Sequence, residues 1–223
     1  MQILYEDNHI LIVNKAPGEI VQGDKTGDEP LVETAKRYLK EKYAKPGAVF
    51  LGVVHRLDRP VSGVVVFART SKALARLNAM FQKGEVRKTY HALVAAAPER
   101  PKATLTHWLT RNEAQNKAYA HAQEVRGSKK AVLDYELIGR TERYFLLEVH
   151  LHTGRHHQIR CQLAKMGCVI KGDLKYGARR SNPDGSICLH ARHISFEHPV
   201  SHKLIDVTAP YPEESSFSII NNE

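Results

Sequence analysis

The chain has 223 residues, enough for one large domain whose core needs no disulfides. Its 33 Lys and Arg outnumber 24 Asp and Glu, and the net charge of +9 favours a polyanionic partner such as nucleic acid. A basic surface with no specific partner explains this charge equally well. The 42% hydrophobic content argues against disorder, and three cysteines suit a reducing cytoplasm. Apolar runs are too short for a transmembrane helix and the acidic N-terminus is unlike a secretory signal, so we expect a cytoplasmic protein.

The first half of the chain alternates between strand and helix patterns. Apolar residues flank Asp7-Asn8 on both sides, which predicts a hairpin. Further along, apolar residues four apart predict a helix with Pro30 in its first turn. The predicted elements are a hairpin at 2–15, a helix at 30–43, buried strands at 49–54 and 64–68, and a helix that Ser71 caps and Gly84 ends.

The second half is richer in strands, and its middle is hard to assign. The stretch 98–130 is polar and basic, lacks a strong period, and contains the only Trp. The predicted elements are strands at 86–97, 131–138, 144–151, 188–197 and 204–208, and a helix opened by Thr153-Gly154 and closed by Gly167. Because no flexible linker divides the chain, we expect a single domain over 1–223.

The strongest candidate for chemistry is Asp58, in the polar connector HRLDRPVSG between two apolar strands. Arg56 and Arg59 flank this carboxylate and favour its ionised form, which suits a nucleophile or a general base. An aspartate in a surface ion pair explains the same tetrapeptide, so both interpretations stay open from these residues alone.

A second group of polar residues is the segment HTGRHHQIR at 152–160. Arg155 near a helix N-terminus is suited to binding a phosphate, and Arg160 is suited to facing inward if a carboxylate pairs with it. A solvated basic helix end is the alternative. Tyr90 in RKTYHAL lies among cations and is suited to stacking on an unpaired base, although a strand Tyr is more often a core residue.

Metal and nucleotide sites have little support in the sequence. Histidines are abundant between 150 and 157, with Cys161 and Cys168 downstream, yet no CxxC pair or other familiar metal-ligand spacing occurs. There is no GxGxxG and no P-loop. We therefore expect no metal and no nucleotide or other cofactor.

Taken together, five segments resemble the RluA-type family of RNA pseudouridine synthases. In chain order the matching segments are YEDNHILIVNKAPG, HRLDRPVSG, VRKTYHALV, HTGRHHQIR with the following GCVIKGD and YGA, and LHARHISFEHP. Each segment is a weak signal alone, whereas five in the right order over nearly the whole chain are specific. The resemblance implies an α+β fold, in which flanking helices cover a mixed, largely antiparallel sheet with a central RNA-binding cleft. Many relatives carry an additional S4-type domain at the N-terminus, and we expect none here.

The resemblance also implies residue roles. Asp58 corresponds to the catalytic aspartate, Arg160 to the arginine that pairs with it, and Tyr90 to the tyrosine that packs on the target uracil. Arg56 is similar to the arginine that enters the RNA where the flipped nucleotide has left. The sequence departs from the family pattern at Val61, where T-S-G is commoner, and at Ala16, since NKP is commoner than NKAP. Neither departure touches the proposed catalytic atoms.

The function that the resemblance implies is isomerisation of specific uridines in structured RNA to pseudouridine, by an essential aspartate and base flipping. Ribosomal RNA is the favoured substrate and transfer RNA the alternative. We expect a monomer that contacts RNA phosphates through cations, the candidates being Arg56, Arg59, Arg155, Lys129, Lys130 and the helical Lys36, Arg37, Lys40 and Lys42. The competing hypotheses are a non-catalytic RNA-binding module on the same scaffold and a metal-dependent hydrolase built on the histidines.

Overall fold

The computed structural model describes residues 1–213 and 215–217, which form eleven strands, three α-helices and one short 3-10 helix. The chain divides into two compact units. Unit 1 comprises Met1–Arg87 and Ala191–Pro212. Unit 2 comprises Lys88–His190 together with Glu213 and 215–217. The single domain over 1–223 stays a prediction, and it includes Glu214 and 218–223, which lie outside the described residues.

Unit 1 is a sheet with two helices. Its elements are β1 (Gln2–Glu6), β2 (Ile10–Lys15), α1 (Leu31–Lys42), β3 (Gly52–Val53), β4 (Ser62–Ala68), α2 (Ser71–Lys83), most of β10 (Leu189–Glu197) and β11 (Leu204–Thr208). The strand order is β1-β2-β4-β10-β11, and β3 also pairs with β4. The pairs β1–β2, β2–β4, β3–β4 and β10–β11 are antiparallel. The sequence of alternating short strands and helices thus closes into one sheet.

β4 is the central strand of unit 1, and all seven of its residues are buried. Its Val64 and Val66 pack with Ile10, Ile12 and Leu77 in one apolar cluster. Gly63 marks the start of the strand, with φ +115°, and a Cβ there would lie 2.3 Å from the carbonyl oxygen of Ala191. Only glycine therefore permits this close approach of β4 to β10.

Unit 2 is an antiparallel sheet with one α-helix. Its elements are β5 (Arg87–Val94), β6 (Lys102–Asn112), β7 (Lys117–His121), β8 (Lys129–Arg140), β9 (Phe145–Leu151), α3 (Gln158–Lys165) and the 3-10 helix (Leu174–Tyr176). The strand order is β5-β9-β8-β6-β7. α3 covers the β6–β7–β8 end of the sheet, where Leu109, Ala118, Ala131, Cys161 and Tyr176 form an apolar cluster. On β8 the opposite face carries Lys130, Val132, Asp134 and Glu136, none of which is buried, as is common for antiparallel sheets.

Most predicted elements are confirmed, and four are corrected. The stretch 98–130 contains β6 and β7; threonines on the outer face of β6 hid its period of two, and β7 has only five residues. The run 49–54 yields only a two-residue strand. Thr70, not Ser71, caps α2, because its side chain accepts a hydrogen bond from the Ala73 amide at 3.1 Å.

The fourth correction concerns the helix expected to open at Thr153-Gly154. α3 begins only at Gln158, and His157 in the left-handed region precedes it. The Gln158 side chain holds the loop by accepting hydrogen bonds from the Thr153 hydroxyl at 2.8 Å and the Arg155 amide at 3.0 Å. Arg155 therefore lies in a loop ahead of the helix. Among the described residues, no helix is long and apolar enough to cross a membrane.

Candidate active site

Asp58 lies in a tight turn between β3 and β4. The turn closes with a hydrogen bond from the Val61 amide to the Asp58 carbonyl at 3.0 Å. Leu57 and Val61 are buried, at 8% and 2% exposure, while Asp58 is half-buried. Apolar side chains on both sides thus anchor the turn, and the carboxylate between them remains accessible.

The main chain of this turn is fixed by the last residue of β2 and the segment that follows it. The Lys15 ammonium donates to the carbonyl oxygens of Val61 at 2.6 Å and Arg59 at 3.1 Å, and to that of Ala16 at 2.9 Å. The Gly18 amide also donates to Arg59, at 2.8 Å. These bonds join residues more than 40 positions apart, so the NKAPG segment acts as a clamp on the turn that presents Asp58.

Lys15 is an unusual residue for this task because its side chain is only 1% exposed. Burial lowers the pKa of Lys15 to about 8, against the opposing effect of the Glu19 and Asp58 carboxylates. Three carbonyl acceptors satisfy the three protons of the ammonium group. The buried charge is therefore compensated by hydrogen bonds to backbone oxygens and not by a direct salt bridge of its own among the described residues.

The arginines and the histidine beside Asp58 have different surroundings. His55 accepts a hydrogen bond from the Val66 amide at Nε2 and stacks on Phe81, so it supports β4. Arg59 binds Asp28 at 2.5 Å and the Thr26 hydroxyl at 2.7 Å. Arg56 is exposed. The Arg56 side chain is thus accessible, whereas the Arg59 guanidinium already binds a carboxylate. The RNA contacts expected of both arginines stay predictions.

Arg160 is held by Asp173, an acid that the sequence analysis did not single out. The guanidinium grips Asp173 with two bonds, from Nε to Oδ2 at 2.7 Å and from Nη2 to Oδ1 at 2.8 Å. Both side chains are buried, at 5% and 1% exposure. Nη1 lies 3.0 Å from Nε2 of His157, and the guanidinium carbon lies 5.2 Å from the centre of the Tyr176 ring. The pairing of Arg160 with Asp58 stays a prediction.

Tyr90 lies on β5, where it pairs with Val149 of β9 and is 9% exposed. Lys88 shares its strand face, two residues earlier, and burial lowers the pKa of that ammonium. The role of Tyr90 in packing on a uracil stays a prediction.

The two basic surfaces proposed from the sequence differ in their ion pairs. On α1, Lys36 pairs with Glu33, Arg37 with Glu29 and Lys42 with Glu6, all within 2.9 Å. On β8, Lys129 and Lys130 are exposed and form no ion pair with any described residue. Arg155 is also exposed, and its Nε donates to the Lys130 carbonyl at 3.1 Å. The start of β8 is therefore the less neutralised of the two surfaces.

Histidines, cysteines and carboxylates form no group of three suited to hold a metal ion within residues 1–213 and 215–217. The histidines of β5 and β9 bind carboxylates instead, as His91 and His150 do on the two oxygens of Glu148. All three cysteines are buried thiols.

Sequence reasoning missed Lys15 as a support of the Asp58 turn, and it missed Asp173, His157 and Tyr176 as neighbours of Arg160. Each lies inside a segment that carried the family resemblance, namely NKAPG, GCVIKGD, HTGRHHQIR and YGA. The signal was present in those motifs, but a single sequence does not show which member contacts which.

Known RNA pseudouridine synthases resemble this chain over most of its length. The family model for RNA pseudouridylate synthases matches residues 9–165. The ribosomal large subunit pseudouridine synthase D of Zymomonas mobilis is 32% identical, over 96% of this chain and 70% of that protein. The ribosomal large subunit pseudouridine synthase C of Vibrio cholerae is 31% identical, over 93% of this chain and 65% of that protein.

A solved structure agrees with the fold. Human RNA Pseudouridylate Synthase Domain Containing 4 superposes with a TM-score of 0.78 at 21% identity, over 95% of this chain and 89% of that one. This likeness confirms the α+β fold expected from the sequence.

Proposed function

We propose, from the premise that this chain belongs to the RNA pseudouridylate synthase family and isomerises uridine in RNA, that Asp58 is the essential carboxylate. The observation that carries the assignment is the clamped turn. Lys15 and Gly18 fix the backbone at Arg59 and Val61, directly after a half-buried aspartate, and a fixed backbone preorganises the reactive group that it carries.

The reaction breaks the N1–C1′ bond of uridine, turns the uracil, and joins its C5 to C1′. The proton on C5 leaves and N1 gains one, so atoms and electrons balance without a redox step or an external energy source. Asp58 has two routes open to it. It either attacks C1′ as a nucleophile or removes the C2′ proton on the way to a glycal, and carboxylates act in related glycosidic chemistry.

The other residues have proposed roles that the family membership supports. Tyr90 packs on the detached uracil and assists removal of the C5 proton. Arg160 pairs with the Asp58 carboxylate. Arg56 fills the gap left by the extruded nucleotide, since unstacking a base from folded RNA costs a few kcal/mol. Arg56→Ala should then reduce turnover more on folded RNA than on a short unstructured strand, as followed with a fluorescent base analogue beside the target. Equal losses on both substrates would assign Arg56 to an ordinary phosphate contact.

The proposed substrate is ribosomal RNA, with transfer RNA as the alternative. Support comes from two relatives that are named ribosomal large subunit pseudouridine synthases. Phosphate contacts come from Lys129, Lys130 and Arg155, which are exposed, and Arg59 would contribute only if its bond to Asp28 opens. We further propose a cytoplasmic monomer that uses no cofactor.

The experiment that tests this function maps pseudouridine across total RNA from cells with and without the gene, and from cells that carry only the Asp58→Asn form. Sites lost in both strains identify the substrate. Sites kept by the Asp58→Asn strain would overturn the catalytic assignment and favour a non-catalytic RNA-binding role. Sedimentation of the purified chain with and without RNA tests the monomer.

A further inference from the structure

The cluster around Arg160 contains more polar groups than a single ion pair needs. Asp173, Arg160 and His157 are all less than 9% exposed, and Tyr176 joins them at 9%. A buried salt bridge seldom adds stability, because desolvation offsets the attraction between its charges. We therefore ask whether these buried groups fix the orientation of the Arg160 guanidinium.

Asp173 and His157 together engage three of the five guanidinium N–H groups. Nε and Nη2 donate side-on to the two oxygens of Asp173, and Nη1 donates to His157. The Tyr176 ring lies against the guanidinium as well, with its centre 5.2 Å away. Contacts in the guanidinium plane and against an aromatic ring leave little rotational freedom.

These contacts fix the tautomer of His157. An arginine only donates hydrogen bonds, so Nε2 of His157 must be the unprotonated acceptor. The imidazole proton then lies on Nδ1, which is 2.9 Å from the Tyr176 hydroxyl oxygen. That oxygen also accepts a bond from the Ala118 amide at 2.8 Å. Tyr176 thus orients the histidine, and the histidine orients the arginine.

Protonation of His157 would break this arrangement, because Nε2 would then carry a proton facing Arg160. Burial, followed by the positive charge of Arg160, holds the pKa of His157 far below its usual value. His156 stacks on it at 3.8 Å, and Lys175 and Arg111 also act against protonation. The imidazole therefore stays a neutral acceptor at neutral pH.

The backbone of His157 adds an independent observation. Its φ is +52°, in the left-handed region that is unfavourable for a residue with a side chain. Gly172, next to Asp173, has φ +87°, and a Cβ there would lie 2.7 Å from the Ser186 carbonyl oxygen. Unfavourable backbone conformations persist where the surrounding structure fixes them, and they concentrate at functional sites.

We propose that His157 and Asp173 are positioning residues for the reaction. Asp173 holds Arg160 side-on, and His157, kept in its Nδ1-protonated form by Tyr176, holds Nη1, so that the guanidinium keeps one orientation throughout turnover. Asp173 also cancels the charge of Arg160. The arginine therefore offers a catalytic carboxylate directed hydrogen bonds more than net positive charge. This inference rests on the proposed role of Arg160 toward Asp58.

The first test reads the network directly in the full-length protein. Long-range ¹H–¹⁵N spectra of the histidines should show His157 with a protonated Nδ1 and an unprotonated Nε2, unchanged from about pH 5 to pH 8. The Arg160 guanidinium should give resolved N–H signals that broaden in His157→Asn. A His157 that titrates in this range, or that carries its proton on Nε2, would overturn the proposal.

The second test separates positioning from stability. His157→Asn keeps a residue that tolerates the left-handed backbone, but its shorter side chain has no atom at the Nε2 position that Arg160 contacts. Tyr176→Phe removes the hydroxyl that sets the tautomer. Both should lower kcat about 10- to 100-fold with little change in KM, since misplacement of a catalytic group acts on the chemical step. Tyr135→Phe is the matched control, because Tyr135 is equally buried and its hydroxyl donates to the Arg100 carbonyl.

The control should lose stability without losing kcat. If His157→Asn and Tyr176→Phe match the control in kcat, the positioning roles are wrong. If Asp58→Asn is itself active, the proposed function fails instead, and the ¹⁵N spectra still report on the network.

Discussion

The turn that presents Asp58 and the cluster that holds Arg160 are both held by hydrogen bonds, but different chemical groups make those bonds. The turn is held through its backbone, since Lys15 and Gly18 bind carbonyl oxygens and leave the side chains of the turn outside these bonds. The Arg160 cluster is held by side chains that bind one another. Chemistry and stability should therefore be separable at Asp58 and inseparable at Arg160.

The largest effect is expected from Asp58→Asn. Turnover should fall by more than about 10³-fold, toward the upper range for loss of a positioned acid–base group. The free energy of unfolding should change by less than about 0.5 kcal/mol, because the side chain is half-buried and the backbone clamp does not use it. Tritium release from RNA labelled at uracil C5, with urea unfolding alongside, checks both. Substantial tritium release by this variant would contradict the assignment of Asp58 as the catalytic residue.

Arg160 should behave in the opposite way. Arg160→Ala leaves Asp173 as an uncompensated buried charge, so stability should fall by about 3–5 kcal/mol along with turnover. Arg160→Lys should recover little turnover, because an ammonium does not reproduce the two-bond grip on Asp173. Thermal unfolding and single-turnover kinetics give the two readouts. Near-normal turnover in Arg160→Lys would show that the planar fork is not needed.

Lys15→Met tests the backbone clamp itself. We expect kcat to fall about tenfold, since the carbonyls of Arg59 and Val61 lose their donor and the turn loosens. The free energy of unfolding should also depend on pH through Lys15. The pKa of Lys15 is about 8 in the folded protein and ordinarily 10.5. Between these two values the unfolded chain binds one more proton than the folded chain, so the free energy of unfolding rises as the pH rises.

The free energy of unfolding of the wild type, minus that of Lys15→Met, should therefore increase from pH 8 to about pH 10 and be constant below pH 7. Urea unfolding of both proteins in matched buffers measures the difference. Lys40→Met, at an exposed lysine of α1, is the control. A flat difference across the alkaline range would show that folding does not lower the pKa of Lys15.

The smallest effects belong to the two basic surfaces. Lys129→Glu with Lys130→Glu should raise KM or Kd for RNA more than it lowers kcat, and should reduce the log–log salt slope by about 0.7–0.9 for each phosphate that is no longer neutralised. Lys36→Glu with Arg37→Glu should do less, because these cations already bind Glu33 and Glu29. Binding titrations at two salt concentrations compare the pairs, and equal losses would mean that the ion pairs on α1 open in the complex.

The sequence was most informative where an element depends on interactions between residues close together in the chain. The spacing of apolar residues and residues that end a helix, such as Gly84, were enough to predict β2, α1, α2 and β8. β6 was not predicted because threonines make the two faces of a half-exposed strand look alike, and β7 was not predicted because five residues are too few to show a period. α3 was predicted four residues early because Gln158 binds the loop ahead of it, which a helical period does not reveal.

By itself, then, the sequence determined most of the elements, the ordered motifs and the choice of Asp58, Tyr90 and Arg160 as candidates. Only the tertiary structure decided which partners these motifs use. Lys15 reaches carbonyls 44 and 46 residues away, and Arg160 binds an acid 13 residues on, across a loop. A buried ion selects partners by distance and desolvation. Distances between side chains and their desolvation are defined only after the strands have paired and a helix has packed over them. In an unfolded chain the same residues are present, but Lys15 does not clamp the turn.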